Sequence, residues 1–349
     1  MAATAETEAE TDAEMREDEV LACAFGAWYP RFRSVTYKSE VISLPEPFVE
    51  YLLADGINVG AGGADDSSSD SSGWGEGGDG EGSEAGSGGV AEIDFPELEE
   101  RISAAIASLG GGVLPKLNWS APKDAQWLQP SLQCRTAREV ITLLKASDFV
   151  AHDLCHSFDH CSTSRRRPDE FTLVLRRWHD LHESSEFRCF VSDSAMFAIS
   201  QRNSDGFFEH LCEKEEAEAL RKTIRSFFEQ HIRAAFPLRR YVFDVYVCAA
   251  PKRKVRLVDF SPWGPTTDAC LYDWPELKDL AVAAAAAAES EAPLEFRVVH
   301  DDSERQSKAE RFHNIPVELA QVSGGQGLED FIRKADRLLE EKRRKGDPA

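Results

Sequence analysis

The chain has 349 residues, 42% of them hydrophobic, and a formal net charge of -22 at pH 7. That length accommodates two ordinary domains or one two-lobed body with a sizeable core. The charge excludes non-specific binding to nucleic acid or to an anionic membrane, both of which need a basic surface, and no apolar run is long enough to span a bilayer.

The opening stretch, MAATAETEAETDAEMREDE, lacks the basic-then-apolar order of a secretion signal, and residues 1–19 read as an unstructured acidic tail. The eight cysteines are scattered, several inside apolar runs, as reduced core thiols are, which points to the cytoplasm. Residues 20–59 carry Phe25, Trp28, Tyr29, Phe32, Val35 and Tyr37 and read as ordered, with a short helix after Pro45. The big rings of this segment, with Trp119, suit either a core or a partner-anchoring surface. Residues 60–92 are a Gly/Ser/Asp/Glu run with almost nothing to bury and read as a mobile insertion. Within it Ser69 and Ser83, each followed by an acid, are candidate phosphorylation sites. The same run contains a GxGxxG match at 73–78, but no strand precedes it and no helix follows, so it is no dinucleotide fingerprint.

Leu98, Ile102, Ala105, Ile106 and Leu109 recur at helical spacing, and Gly110-Gly111-Gly112 ends that helix before a short strand reaching Lys116. A helix fits 136–146. Segments 171–178, 187–191 and 196–201 read as strands of one sheet. Leu220, Ile224, Phe227, Phe228 and His231 mark the apolar face of a long helix. Residues 241–247 and 255–260 form a last strand pair, 281–288 is helix-prone, 290–310 reads as loose, and Leu328 to Leu339 form a terminal helix. Helices and strands mix without regular alternation, so the fold class is α+β. The division expected is an N-terminal lobe over 20–175 and a C-terminal lobe over 176–345.

The strand pair carries the chemistry. In YVFDVYV and VRLVDF, a hairpin centred between Pro251 and Lys252 sets Asp244 opposite Asp259 on one sheet face. A one-residue slip would separate them. Opposed carboxylates repel unless a cation lies between them, and oxygen ligands that keep some water suit magnesium, which usually arrives with phosphates. The pattern equally allows two solvated acids on an open face. Arg188, in EFRCFV, shares a strand face with Glu186 and Phe190, while Phe187, Cys189 and Val191 point the other way. Arg188 and Lys116 are the cations placed to hold phosphate, provided all four charged residues converge. The cluster His152, Cys155, His156, His160 and Cys161 fits no standard zinc spacing, and the absence of GxSxG leaves no nucleophile elbow for a hydrolase.

The blocks AWYPRFRSVTYKSEVISLP, VLPKLNWSAPKDAQW, LVLRRWHDLHESSEFRCFV, ISQRN, YVFDVY and VRLVDFSPWG occur in this order in the cell division cycle protein 123 family, and the chain resembles a full-length member of it. The resemblance implies a two-lobed ATP-grasp-like fold with ATP and magnesium between the lobes. It implies a monomer that binds the gamma subunit of eukaryotic translation initiation factor 2 and promotes assembly of that heterotrimer, supporting translation initiation and cell-cycle progression, with no direct contact to nucleic acid. By the same resemblance Lys116 contacts phosphate, and Asn118, Ala121 and Asp124 line the nucleotide pocket. Arg176, Arg177, Trp178 and His179 form the linker beside the adenine, Arg188 reaches phosphate, and Gln201 and Arg202 lie on the neighbouring strand. Asp244, Asp259 and Ser261 hold magnesium. Many members carry Asn where this chain has Ser261, a shorter and weaker ligand, so Ser261→Asn is expected to tighten binding of magnesium and ATP. The fold alone also permits a ligase that forms an acyl phosphate. ADP release with a small acceptor would favour the ligase, and stable ATP retention with partner binding would favour the assembly factor.

Overall fold

The computed structural model describes residues 15–54, 95–286 and 294–301. The insertion 60–92 and the terminal helix at 328–339 lie outside the described residues. In chain order the elements are α1 (Glu17–Ala22), α2 (Phe25–Phe32), β1 (Ser39–Ser43), α3 (Glu46–Leu53), α4 (Pro96–Ser108), β2 (Val113–Lys116), α5 (Ala137–Lys145), α6 (Asp148–Cys155) and β3 (Thr172–Arg177). There follow β4 (Glu186–Ser192), β5 (Ala195–Gln201), α7 (Lys214–Phe227), β6 (Tyr241–Val247), β7 (Val255–Ser261), α8 (Trp274–Ala286) and β8 (Glu295–Arg297). The class is α+β, built on two sheets.

The first sheet has three antiparallel strands in the order β1-β3-β2. One face of it packs against α3–α6, where Phe48, Val49, Ile102, Val140, Leu143 and Val150 meet Leu173 and Leu175 of β3. Helix α4 stops where the sequence says it should. Gly110 and Gly111 take φ of 96° and 84°, and the Gly111 amide donates to Ile106 O at 2.9 Å, a turn that L side chains resist. Helices α5 and α6 are capped by Thr136 and Ser147, whose side chains accept from Glu139 N and Val150 N.

The second sheet runs β7-β6-β4-β5-β8, antiparallel except for the parallel β5–β8 edge. One face buries Phe187, Cys189, Ile199, Phe243, Val245 and Phe260 under α7 and α2. On the opposite face Phe190, Ala198 and Val242 pack under Tyr272 and Leu277 of the α8 region. Alternation thus sorts β4 as its sequence implies, with Arg188 on the face of Phe190.

Four differences from the sequence expectations have physical reasons. The segments 171–178, 187–191 and 196–201, read as strands of one sheet, divide between two: β3 pairs with β1 and β2, while β4 and β5 pair with each other in the second sheet. The first described residue, Met15, is buried with Val20 and Phe158, and helix α1 begins inside the stretch read as an acidic tail. The long helix closes with a π turn at Phe228–Ile232. The wider turn rotates Ile232 into the core and leaves His231 exposed. Part of the segment read as loose, Glu295–Arg297, adds a strand to the sheet edge, where Leu294 and Val298 join the core.

Helix α2 crosses the expected lobe division at 175/176. Its rings Phe25, Trp28 and Phe32 belong to the second core, with Trp28 at 5.4 Å and Phe32 at 5.2 Å from the Phe260 ring. Strand β3 serves both cores, through Leu173 and Leu175 on one face and Val174 on the other. Arg176 follows Val174 on that second face, and Lys116 pairs beside Val174, so alternation points both cations at the second sheet.

Candidate functional site

The acid pair depends on one extra residue. Near the turn, Val247 pairs with Val255, Tyr246 with Arg256 and Val245 with Leu257. Continued unbroken, that register would set Asp244 opposite Val258. Instead a bulge skips Val258, and beyond it Asp244 faces Asp259, Phe243 faces Phe260 and Val242 faces Ser261. Bulges re-aim side chains at the cost of a ladder bond. Here the bulged carbonyl is satisfied from the other sheet: Arg176 Nη2 donates to Val258 O at 2.6 Å.

Cations close around the pair. Arg188, directly across from Asp244 on β4, donates Nε and Nη2 to its two oxygens at 2.8 Å each, a bidentate fork. Arg202 Nε lies 3.5 Å from Asp244 Oδ2, and its Nη1 lies 3.2 Å from Asp268 Oδ2. Arg188 Nη1 also donates to Asp268 O at 2.6 Å. From the first sheet, Lys116 Nζ bonds to Asp259 Oδ2. Burial would raise the Asp244 carboxyl, but the Arg188 guanidinium and its hydrogen bonds, with Arg202 and Lys123, hold it down at about 2. Burial pulls the Lys116 ammonium below its ordinary value; Asp259 opposes that and Arg176 adds to it.

Lys116 and Arg176 share a support that the sequence did not reveal. The ring of Phe25 lies 5.3 Å from Lys116 Nζ and 5.4 Å from Arg176 Cζ, so one aromatic face attracts two neighbouring cations. Phe25 is itself stacked on Tyr29 at 4.9 Å, and Tyr29 Oη is fixed by Ser39 N and Ser39 O. Sequence reasoning also missed Lys123. Its side chain is exposed, yet enclosure by the surrounding walls, and then Arg202, lower its pKa, while Glu186 and Asp244 oppose that. Five cations (Lys116, Lys123, Arg176, Arg188, Arg202) thus face four acids (Glu186, Asp244, Asp259, Asp268). A cation excess in a chain of net charge -22 is a local design, since the surroundings favour the opposite sign.

The remaining sequence-proposed residues divide into two groups. Ser261 lies two residues beyond Asp259 on the same strand face, and Ala121 precedes Lys123 in the loop after β2. Arg177, Trp178 and His179 leave β3 at the edge of the junction, with the His179 ring 5.0 Å from Tyr37. The others tie loops together. Asn118 Oδ1 accepts from Thr172 N at 2.7 Å and from Thr172 Oγ1 at 3.0 Å. Asp124 accepts from Ser147 Oγ and Asp148 N, both at 2.6 Å, at the start of α6. Gln201, fully buried, donates to Gly206 O at 2.6 Å and accepts from Val299 N at 3.2 Å. In the histidine- and cysteine-rich segment, His156 Nδ1 lies 2.7 Å from Asp159 Oδ2. Among the described residues no three His, Cys, Asp or Glu side chains gather as a metal site would need. Asp244 and Asp259, opposed on one sheet face, are instead paired with Arg188 and Lys116.

Fold and site together define an α+β protein in which two sheets meet at a buried junction of acids and excess cations. The D123 family model matches residues 28–323, and the chain belongs to that family. A Xenopus tropicalis protein named translation initiation factor eIF2 assembly protein is 35% identical over 328 residues, covering 91% of this chain and 97% of its own. The cell division cycle protein 123 of Phaeosphaeria nodorum is 35% identical over 363 residues, covering 90% and 94%. The structure of Cdc123 from Schizosaccharomyces pombe superposes with a TM-score of 0.66 at 35% identity, covering 82% of this chain and 99% of that one.

Proposed function

We propose that this chain is an assembly factor for translation initiation factor eIF2 that binds ATP with magnesium between its two sheets and docks on the gamma subunit of its client. The names carried by its 35%-identical relatives support the role in eIF2 assembly. The nucleotide reading rests on one observation: the cation excess formed where Lys116 and Arg176 of the first sheet meet Arg188 and Arg202 of the second. A triphosphate is the ligand that such a set fits. Its oxygens would take over from Asp259 as partners of Lys116 and engage the guanidinium of Arg202, which is only partly used by Asp244.

Asp244, Asp259 and Ser261 would hold the magnesium. The fit lies in two carboxylates opposed on one strand face, with basic groups beside them that can turn to phosphate. When bound, the ion offsets part of the triphosphate charge. The chain's own residues do the rest. Arg188 orients Asp244, Arg176 and Lys116 join the first sheet to β7, and the surrounding apolar cores keep water from the pairs. In this reading ATP acts as a ligand that sets the relation of the sheets and hence the docking surface. The reading places this role in the cytoplasm.

Calorimetry with magnesium and ATP tests this directly. Lys116→Met keeps the volume and removes the charge, and affinity should fall about tenfold or more, the range for one charge-assisted contact. Purified gamma subunit should be retained by the wild-type chain, with ATP recovered intact rather than as ADP. Absence of ATP binding to the wild-type chain would overturn the nucleotide reading, and rapid ADP release with a small acceptor would favour a ligase.

A further inference from the structure

The ion pairs of the junction differ in how far solvent reaches them. The side chains of Lys116 and Asp259 are 2% and 20% exposed, those of Arg188 and Asp244 5% and 13%, and those of Arg202 and Asp268 21% and 37%. The Arg188–Asp244 pair is a two-pronged fork at 2.8 Å. The Arg202–Asp268 pair is a single contact, Nη1 to Oδ2 at 3.2 Å, and it is the most open of the three. A partly exposed pair is held weakly, whereas breaking an enclosed one strands a buried charge. Asp268 is therefore the acid that an incoming anion displaces most easily.

The loop that carries Asp268 follows Ser261 directly and is anchored by other bonds. Thr267 donates its amide to Gly264 O at 2.9 Å and its hydroxyl to Pro262 O at 2.6 Å, and Thr267 O accepts from Trp274 Nε1 at 2.8 Å. Leu271 N donates to Ser200 Oγ of β5 at 3.2 Å. Arg188 Nη1 holds the Asp268 carbonyl at 2.6 Å, and Cys270 N donates to Asp268 Oδ1 at 2.9 Å. None of these bonds uses Oδ2, so the contact with Arg202 can break while the loop stays in place. We infer that Asp268 is an internal competitor of the bound anion: its Oδ2 takes the place on Arg202 that a phosphate oxygen takes in the complex. The carboxylate thereby holds affinity below what the cations alone would give. The inference deepens the nucleotide reading and rests on it.

Asp268→Asn isolates the charge, because the amide keeps an oxygen for Cys270 N and leaves the carbonyl that Arg188 holds. The full-length protein and the variant are titrated calorimetrically with inorganic tripolyphosphate and with ATP and magnesium, at low and at high salt, each also in an Arg202→Gln background. The expected result is binding of both ligands about fivefold tighter in Asp268→Asn, the worth of one partly exposed ion pair, with the gain shrinking at high salt and vanishing with Arg202→Gln. Weaker binding by Asp268→Asn would overturn the inference and make the acid a group that orients Arg202. Unchanged affinity would overturn it too, because the pair would then persist in the complex. A gain that survives Arg202→Gln would do the same, reducing Asp268 to a distant repelling charge. Each of these three results leaves the nucleotide reading standing. Tighter tripolyphosphate binding with no binding of ATP would keep the competitor and remove the nucleotide reading, and binding of neither ligand by any of the proteins would remove both.

Discussion

Asp153, behind the first sheet, and Asp244, on the second, are both buried aspartates, yet their environments drive them in opposite directions. Asp153 sits on α6, 4% exposed, and accepts from Ser120 N at 2.8 Å, Ser120 Oγ at 2.7 Å and Trp119 N at 3.2 Å. Burial pushes its carboxyl up to about 6, and the neutral donors and Lys116 offset only part of that. Asp244 has burial against it as well, but a bidentate guanidinium and a second arginine hold it at about 2. Dipoles from two amides and a hydroxyl do not match a full charge at contact distance. The first region can therefore discard its carboxylate charge near neutrality, whereas the second keeps its charge as part of an ionic lattice. Asp153 fixes the loop that follows Lys116, so the two acids position the two sides of one junction.

The largest way to break this comparison is to remove each acid. Asp244→Ala leaves Arg188 buried without its partner and should cost about 3–5 kcal/mol, read as a fall in the urea midpoint at constant slope. Asp153→Ala strands only neutral donors and should cost less. If the two losses were equal, the distinction between an ionic and a dipolar environment would carry no energy.

The next effect is in pH. Asp153 has a folded pKa above its unfolded one, so between about 6 and 3.8 the native state binds the extra proton. Its burden is fully present above pH 6 and is relieved as pH falls, a gain on the order of 3 kcal/mol by pH 4. Asp244 is the reverse: its contribution is present above 3.8 and is lost as pH falls through about 2. Denaturant midpoints for the wild-type protein and Asp153→Asn should diverge between pH 7 and pH 4, with the variant flatter. Parallel curves would mean that Asp153 does not titrate as its surroundings dictate.

These pairs also mark what the sequence could reveal. Period-two patterns around Arg188, Asp244 and Asp259 made the strands and their faces readable, because alternation maps directly onto a sheet. The α4 stop at Gly110-Gly111 was readable for the same local reason. The bulge at Val258 was not, since nothing in VRLVDF distinguishes the skipped residue from its neighbours. The hairpin centre read from sequence holds at the acids but not beside the turn. Lys123 and Phe25 enter the site through tertiary packing of a loop and of α2, which leaves no periodic trace. The resemblance supplied Asn118 and Asp124 as pocket residues and Gln201 on the neighbouring strand; the side-chain partners the structure gives them are backbone and side-chain groups of adjacent loops, contacts that no linear pattern encodes.

The smallest effect sharpens the comparison most finely. Ser120 Oγ donates to Asp153 Oδ1, and that bond to an ionised acid is worth about 1.5 kcal/mol. Ser120→Ala removes it and leaves both backbone donors in place. Because the hydroxyl lowers the Asp153 pKa, its loss should raise that pKa further. The destabilisation should then appear above pH 6 and shrink below it, as protonation takes away the charge that the hydroxyl was stabilising. At Asp244 no neutral donor has that leverage, because the arginines dominate, so pairing the variant with Asp244→Ala should give additive losses at pH 7. A pH-independent loss in Ser120→Ala would show that the hydroxyl serves loop packing instead of the carboxylate, and that only the two backbone amides and Lys116 oppose burial at Asp153.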